Sequence, residues 1–372
     1  MKKIALLYIN TGTGGSSEVM KQTAIHLAKT YQVTIISHQA LKDYFKTDQI
    51  LFKGVYSEYY DKGFIFRLFR FLTRHWLGPN WLTTKRLKRL FSKTEYDLIH
   101  FHSALALSLY NPNWSLKAKT VFTDHDSIYN IQKKHHFLID LNYSSFVENL
   151  RTVNLITSPS TNSISEIKNH NKNTNTQYKV VRNGCTYPMR TISKDFKSIR
   201  AIFPGGSNPV KRLNTLIYHL EQIDLNFLKE INFKLVVLGT TELYVSSYVK
   251  QSHLNPFLEF KGHLIGKDYM NELEAANVYI NNSVSEVLPL ALLESLAYQL
   301  VPLVKRVGGI PEIIQNNTNG LLYKDSNFAE VFYKLRDFKL LEKISKVNED
   351  LAKGFSWQKI SLEYDNCYTK IL

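Results

Sequence analysis

Short continuous runs of branched and aliphatic residues recur along this 372-residue chain, separated by polar turns and helical stretches. Residues 4–9, 33–37, 96–102, 120–126, 155–160 and 178–181 form one series, and 201–203, 233–239, 258–263, 278–281 and 301–304 form a second. An apolar run of this length suits a strand buried on both faces. Strands that alternate with helices are joined by crossovers, which makes the sheet parallel. A polar hinge, 187–198, separates the two series. The chain is long enough to bury a core in each half, so it is expected to be an α/β protein with two doubly wound domains.

The chemistry concentrates in residues 283–312, S-V-S-E-V-L-P-L-A-L-L-E-S-L-A-Y-Q-L-V-P-L-V-K-R-V-G-G-I-P-E. A polar loop carries Glu286, Pro289 opens an apolar helical run, and Glu294 lies inside that run. Pro311 then starts another helix after a Gly308-Gly309 turn. Glu294 sits among Leu292, Leu293, Leu296 and Ala297, where a carboxylate is not expected without a partner. Two acids so placed, one at a helix mouth and one just inside it, do not serve a core.

Near the N-terminus the turn after residues 4–9 contains Gly12, Gly14 and Gly15. It lacks the spacing and the later acid of a dinucleotide fingerprint, and a tight strand-to-helix connection explains it as well as a phosphate loop does. His100, His102, His125 and Asp126 fall at strand ends, where open α/β sheets gather ligands. The plainer reading of His100 and His102 is as hydrogen-bonded strand-end residues. None of these histidines has helical ligand spacing to another, so no metal is expected.

Glu286, Glu294 and the run Gly308-Gly309-Ile310-Pro311-Glu312 resemble the C-terminal signature of family 4 retaining glycosyltransferases, which have the GT-B fold. Other stretches are similar to the family's patterns: Asp97-Leu-Ile-His-Phe-His, Thr123-Asp-His-Asp, Val180-Val-Arg-Asn-Gly, Asn319-Gly-Leu-Leu and Phe355-Ser-Trp. The resemblance implies two Rossmann-like doubly wound domains facing each other across a cleft. It implies an acceptor-binding domain over 1–188, a nucleotide-sugar domain over 189–357, and a terminal helix, 358–372, returning to the first. It further implies transfer of a sugar from a nucleotide diphosphate sugar to a glycan or lipid-linked acceptor, with retention of anomeric configuration and without a metal or other cofactor.

Carried over residue by residue, Glu286 would hold the sugar near its anomeric centre, and His125 would lie near the sugar and acceptor, with Asp126 beside it. Glu294 would accept from the ribose hydroxyls. Gly14 and Gly15 would meet the donor phosphate and sugar, His263 and its neighbours the base, and Lys211 with the amides of Leu288 and Leu290 the diphosphate. The family's second cation is replaced here by Gly206, and Arg212 stands where a glycine is usual. Arg212, Lys261 or the amides around Gly205, Gly206 and Ser207 are the possible substitutes. The family's Gly-x-Pro bend is also altered, to Gln299-Leu-Val-Pro. A glutamine in a left-handed helix cap costs about 1–2 kcal/mol, so this bend is expected to be made differently.

The formal charge of +15 is one-sided: residues 1–190 hold 26 Lys and Arg against 12 Asp and Glu, a net +14. Residues 62–93 carry nine of these cations, no acid and many aromatic rings, with Arg67, Arg70 and Arg74 on one helical face. That pattern suits an anionic membrane surface, although a surface helix with its Phe face on the core has the same pattern. No nucleic-acid motif accompanies it. The opening apolar run is too short for a signal peptide, and Cys185 and Cys367 suggest neither a disulfide framework nor a metal knuckle. The expected location is cytoplasmic, peripheral on the inner face of the cell membrane. Two alternatives stay open on sequence: a non-catalytic GT-B partner subunit, and a GT-B nucleotide-sugar epimerase.

Overall fold

The structure is a computed structural model that describes residues 1–10, 12–55, 81–114, 117–126, 140–171, 173, 175–190, 192–245 and 247–372. It divides into two compact units, one made of Met1–Asn183 with Trp357–Leu372 and the other of Gly184–Ser356.

The first unit holds strands β1 (Lys3–Tyr8), β2 (Gln32–His38), β3 (Leu51–Val55), β4 (Leu98–Phe101), β5 (Lys119–Thr123), β6 (Leu155–Ser158) and β7 (Gln177–Val180). They form one sheet in the order β3-β2-β1-β4-β5-β6-β7, and every pairing is parallel. Alternation along β1 shows why these runs are apolar throughout. Ala5, Leu7 and Ile9 enter a core with Phe101 and Phe122, whereas Ile4, Leu6 and Tyr8 enter another with Met20 and Leu27 of helix Gly15–Leu27. The second face is also covered by the terminal helix Trp357–Ile371, whose Ile360, Tyr364, Cys367 and Tyr368 are buried there. Strand β3 has no counterpart in the sequence reading. It is a sheet edge whose sequence Leu-Phe-Lys-Gly-Val is only half-buried, so it lacks the apolar continuity that marks the interior strands.

The second unit repeats the plan with β8 (Arg200–Phe203), β9 (Lys234–Val237), β10 (Leu258–Phe260), β11 (Val278–Asn281), β12 (Val301–Lys305) and β13 (Leu321–Tyr323). Their order is β10-β9-β8-β11-β12-β13, again all parallel. Ala201, Phe203, Val278 and Ile280 point into one core, and Ile202, Tyr279 and Val304 into the other. Pro302 is tolerated within β12 because β13 pairs only from Leu303 onward, so the missing N–H is not needed on that side.

The bend after helix Leu290–Ala297 differs from expectation. Gln299 does adopt the left-handed conformation, with φ of 60°. The Leu300 amide donates to Ser295 at 2.9 Å and the Gln299 amide to Leu296 at 2.9 Å, the paired closure of a Schellman motif. A hydrogen bond from Ser345 Oγ to the Gln299 carbonyl, 2.7 Å, holds the strained residue in place. The cap geometry outweighs the side-chain penalty. Gln299→Gly should therefore raise stability by about 1 kcal/mol in urea denaturation, and a loss of stability would show that the glutamine side chain contributes more than its strain costs.

Candidate functional site

In each sheet the strand order reverses at one place, between β1 and β4 and between β8 and β11, and the loops leaving those strands flank a crevice where ligands bind in open α/β sheets. In the second unit those loops are tied together. Val284 N–H donates to the Val210 carbonyl at 3.0 Å and Asn282 Nδ2 to the Arg212 carbonyl at 3.0 Å. Glu286 Oε1 accepts from Lys211 Nζ at 2.5 Å, Ser283 Oγ at 2.6 Å and Asn281 Nδ2 at 3.1 Å. Its side chain is 11% exposed and that of Lys211 is 25% exposed, so the ion pair is partly desolvated and spans the switch point.

The Gly308-Gly309 turn belongs to the same construction. Gly308 has φ of 51°, and a Cβ there would stand 1.6 Å from the Glu286 carbonyl oxygen. The Gly309 amide donates to the Val287 carbonyl at 3.0 Å. The turn thus closes directly on the Glu286 backbone, and only a bare α-carbon permits the approach. Glu294 is half-buried and accepts from the Tyr269 hydroxyl at 2.9 Å, which supplies the partner its apolar surroundings require. Burial, reinforced by the Glu294 charge and this bond, holds the Tyr269 phenol well above its ordinary value, so it remains a donor. Tyr269 escaped the sequence reading because its helix, Gly266–Ala275, lies outside the motif. The buried position of Glu294 was the only signal that some donor had to exist.

The loop after β8 explains the missing cation. Gly206 has φ of 53°, and a Cβ there would lie 2.6 Å from the Gly239 carbonyl oxygen. No side chain fits at that backbone position, arginine included. Lys261 is engaged elsewhere, 2.5 Å from Glu272 and 3.2 Å from Glu259, in a network that also holds Arg200. Arg212 lines a cavity of about 460 Å³ with Gly206, Ser207, Asn208 and Thr240. It adopts φ of 56°, which explains why a glycine suits that position, and its guanidinium lies 3.1 Å from Asp325. Lys305 joins the same carboxylate at 2.8 Å. Burial alone would raise Asp325, but hydrogen bonds from Lys305 and Arg212 hold it below the ordinary carboxylate value. His263 is exposed in the loop after β10, next to Gly262, whose carbonyl accepts from the Gly239 amide at 2.5 Å. Leu290 is the first residue of its helix, whereas Leu288 precedes it with a buried side chain.

In the first unit Gly14 caps helix Gly15–Leu27, and Gly15 is the helix's first residue. Gly14 has φ of −173°, open to any residue, and a Cβ there would meet nothing within 4 Å among the described residues. Neither turn geometry nor packing demands glycine at that point. His100, His102 and His125 cluster at the ends of β4 and β5, with Asp126 exposed just beyond. His100 Nδ1 lies 2.5 Å from the Tyr368 hydroxyl and Nε2 lies 2.6 Å from Thr123 Oγ1. Burial lowers His100 and His102 well below the ordinary histidine value, and lowers His125 to about 3. Burial thus favours the neutral imidazole at all three.

Helix Trp81–Lys93 is the described part of the basic stretch. Thr83, Leu87 and Phe91 are buried against the core, and Lys85, Arg86, Lys88, Arg89 and Lys93 are exposed on the opposite side. Its apolar face is thus used internally. Arg67, Arg70 and Arg74 lie outside the described residues.

Two family models account for nearly the whole chain: Glycosyltransferase Family 4 matches residues 13–186 and Glycosyl transferases group 1 matches 190–353. The chain belongs to the family 4 glycosyltransferases of the GT-B fold. It is 24% identical over 174 residues to an uncharacterized glycosyltransferase of Methanocaldococcus jannaschii, covering 46% of this chain and 48% of that protein. The chain spans about half the length of the relatives it matches in sequence. Its fold is similar to that of Anabaena HepE in complex with UDP-glucose, with a TM-score of 0.76 at 15% identity and 100% of both chains covered. It is also similar to WaaG, a glycosyltransferase involved in lipopolysaccharide biosynthesis, with a TM-score of 0.73 at 13% identity and 99% of each chain covered.

In this family member the turn behind Glu286 makes a direct test of the local geometry. Gly308→Ala should destabilise the protein by about 2 kcal/mol or more in urea denaturation, since strain and backbone overlap act together. A stability equal to wild type would mean that the turn does not constrain Glu286.

Proposed function

We propose that this glycosyltransferase moves a sugar from a nucleotide diphosphate sugar to a glycan or lipid-linked acceptor with retention of anomeric configuration, in the building of a cell-surface glycan. The observation that carries the reading is the Lys211–Glu286 pair at the switch point of the second unit, with Glu294 held by Tyr269 nearby on the following helix. That HepE was solved with UDP-glucose supports a UDP-sugar as donor, and the involvement of WaaG in lipopolysaccharide synthesis supports a surface glycan as product.

In this reading the second unit holds the donor. Glu294 accepts hydrogen bonds from the ribose hydroxyls, each contributing about 1.5–3 kcal/mol because one partner is charged. Glu286 holds hydroxyls of the transferred sugar near its anomeric carbon. Lys211, kept in place by Glu286 in the free protein, turns to the diphosphate when the donor enters. The leaving nucleoside diphosphate is stabilised as its charge develops by Lys211, Arg212 and the amides at Gly206 and at the start of helix Leu290–Ala297. The base lies by His263. These cations and amides do the work for which other transferases use a divalent ion, so turnover proceeds without metal. The acceptor, with His125 and Asp126, is assigned to the first unit.

A peripheral position on the inner face of the membrane fits the exposed cations of helix Trp81–Lys93, and no helix among the described residues is long and apolar enough to cross a membrane. The packing of Leu87 and Phe91 into the core makes this attraction electrostatic rather than an insertion of rings.

Calorimetric titration of UDP in the presence of EDTA tests the donor site. Wild type should bind, and Glu294→Ala should weaken binding about 100-fold or more. Equal affinity of the two would remove Glu294 from the site, and wild-type binding that requires a divalent ion would overturn the metal-free reading. A wild type that binds no UDP in either buffer would favour the non-catalytic subunit instead. For the membrane, replacing Lys85, Arg86, Lys88 and Arg89 by Glu should abolish co-sedimentation with phosphatidylglycerol vesicles at low salt, and undiminished co-sedimentation would exclude this helix as the attachment face.

A further inference from the structure

The histidine cluster of the first unit carries more information than its position. His102 Nδ1 lies 3.0 Å from His125 Nε2, and the two rings are nearly parallel, 16° apart, with centroids 5.3 Å from each other. His100 also lies against His102, with ring centroids 4.0 Å apart and the planes tilted by 38°. His100 spends both its nitrogens on Tyr368 and Thr123, so it offers His102 nothing. His102 Nε2 is buried and has no hydrogen-bond partner among the described residues. His102 itself is only 1% exposed, so water does not reach it readily.

One proton sits between His102 and His125, and its location fixes both rings. If His125 Nε2 donates, His102 must carry its own proton on Nε2, and that N–H is buried without an acceptor. If His102 Nδ1 donates, its Nε2 is a bare lone pair. An orphaned buried N–H is the rarer and costlier of the two defects. A third state with both nitrogens of one ring protonated is a buried imidazolium beside another imidazole, and burial disfavours it strongly. His125 must then carry its proton on Nδ1, which meets no partner among the described residues, and its ring is only partly buried.

We propose that His102 is a positioning residue that holds His125 as the neutral Nδ1–H tautomer, so that His125 presents a hydrogen-bond donor, not a lone pair, to an oxygen of a bound sugar. The proposal rests on the reading of His125 as a sugar-facing residue. In this state His125 takes no proton from an acceptor hydroxyl. Its N–H donates a hydrogen bond to a sugar oxygen and so orients that hydroxyl, and the role of base passes to another group.

Nitrogen-15 NMR of the protein labelled in its histidines decides the tautomer without any substrate. The His125 and His102 signals are assigned by their loss in His125→Ala and His102→Asn. Wild-type His125 should show the Nδ1–H pattern, and an Nε2–H or doubly protonated pattern at pH 7 overturns the proposal. Hydrolysis of UDP-glucose supplies the second readout. His102→Leu should lower kcat by about tenfold to 100-fold with KM changed little, and His102→Asn, whose amide N–H takes the place of Nδ1, should recover activity to within a few-fold of wild type. Equal losses in the Leu and Asn variants, with melting temperatures at the wild-type value, would likewise overturn it. If His125→Ala turns over as fast as wild type, the sugar-facing reading of His125 fails, while the NMR pattern still judges the tautomer.

Discussion

One oxygen of Glu286 accepts from a lysine, a serine and an asparagine, and the second unit's site is arranged around that single atom. The constraint reaches in three directions. Lys211 brings the loop after β8, Asn281 and Ser283 bring the end of β11, and Gly308 presses the turn after β12 against the Glu286 backbone. Taking a carboxylate partly out of water costs free energy unless partners of this kind receive it, and the partners lose much of their reason for convergence without it. Three loops that are distant in sequence are therefore held together by one charge.

Parallel topology explains why these loops can converge at all. In an order such as β10-β9-β8-β11-β12-β13, the connections from β8 and β11 leave to opposite faces of the sheet and flank a crevice. The same kind of crevice lies between β1 and β4, where the Gly14 turn and the His102 end of β4 emerge. Both units thus carry their polar and glycine-rich residues at the one part of a doubly wound sheet that is not needed for packing. Glycine has a different purpose at each. At Gly206 and Gly308 the backbone of a neighbour forbids a Cβ, whereas at Gly14 nothing among the described residues does.

How much of this was legible in the sequence follows from the same physics. Strands buried on both faces are predominantly apolar, so β1, β4, β5, β11 and β12 stand out as runs despite a buried His100 in β4, while the half-buried edge strand β3 does not. The strained cap at Gln299 was misjudged because a local penalty was weighed without the hydrogen bonds that offset it. Residues joined by a motif, such as Glu286 and Gly308, could be grouped by spacing. Tyr269 and Tyr368 could not, because their partners Glu294 and His100 lie 25 and 268 positions away and no local pattern encodes so distant a hydrogen bond.

The loop after β8 shows how such a long-range constraint can reshape a motif. Gly206 cannot carry a side chain because Gly239 lies against it, and Gly239 is itself left-handed, with φ of 87°. A cation lost at that place has to come from a residue whose backbone is free to stand near the same cavity. Arg212 is so placed, at the cost of a left-handed conformation that a glycine would adopt freely. Strain of this kind survives where the side chain repays it, and here the guanidinium is held by Asp325 together with Lys305. The group around Asp325 holds more positive than negative charge. A diphosphate bound as proposed would find Arg212 already ordered beside Gly206, the position at which a neighbouring backbone leaves no room for a cationic side chain.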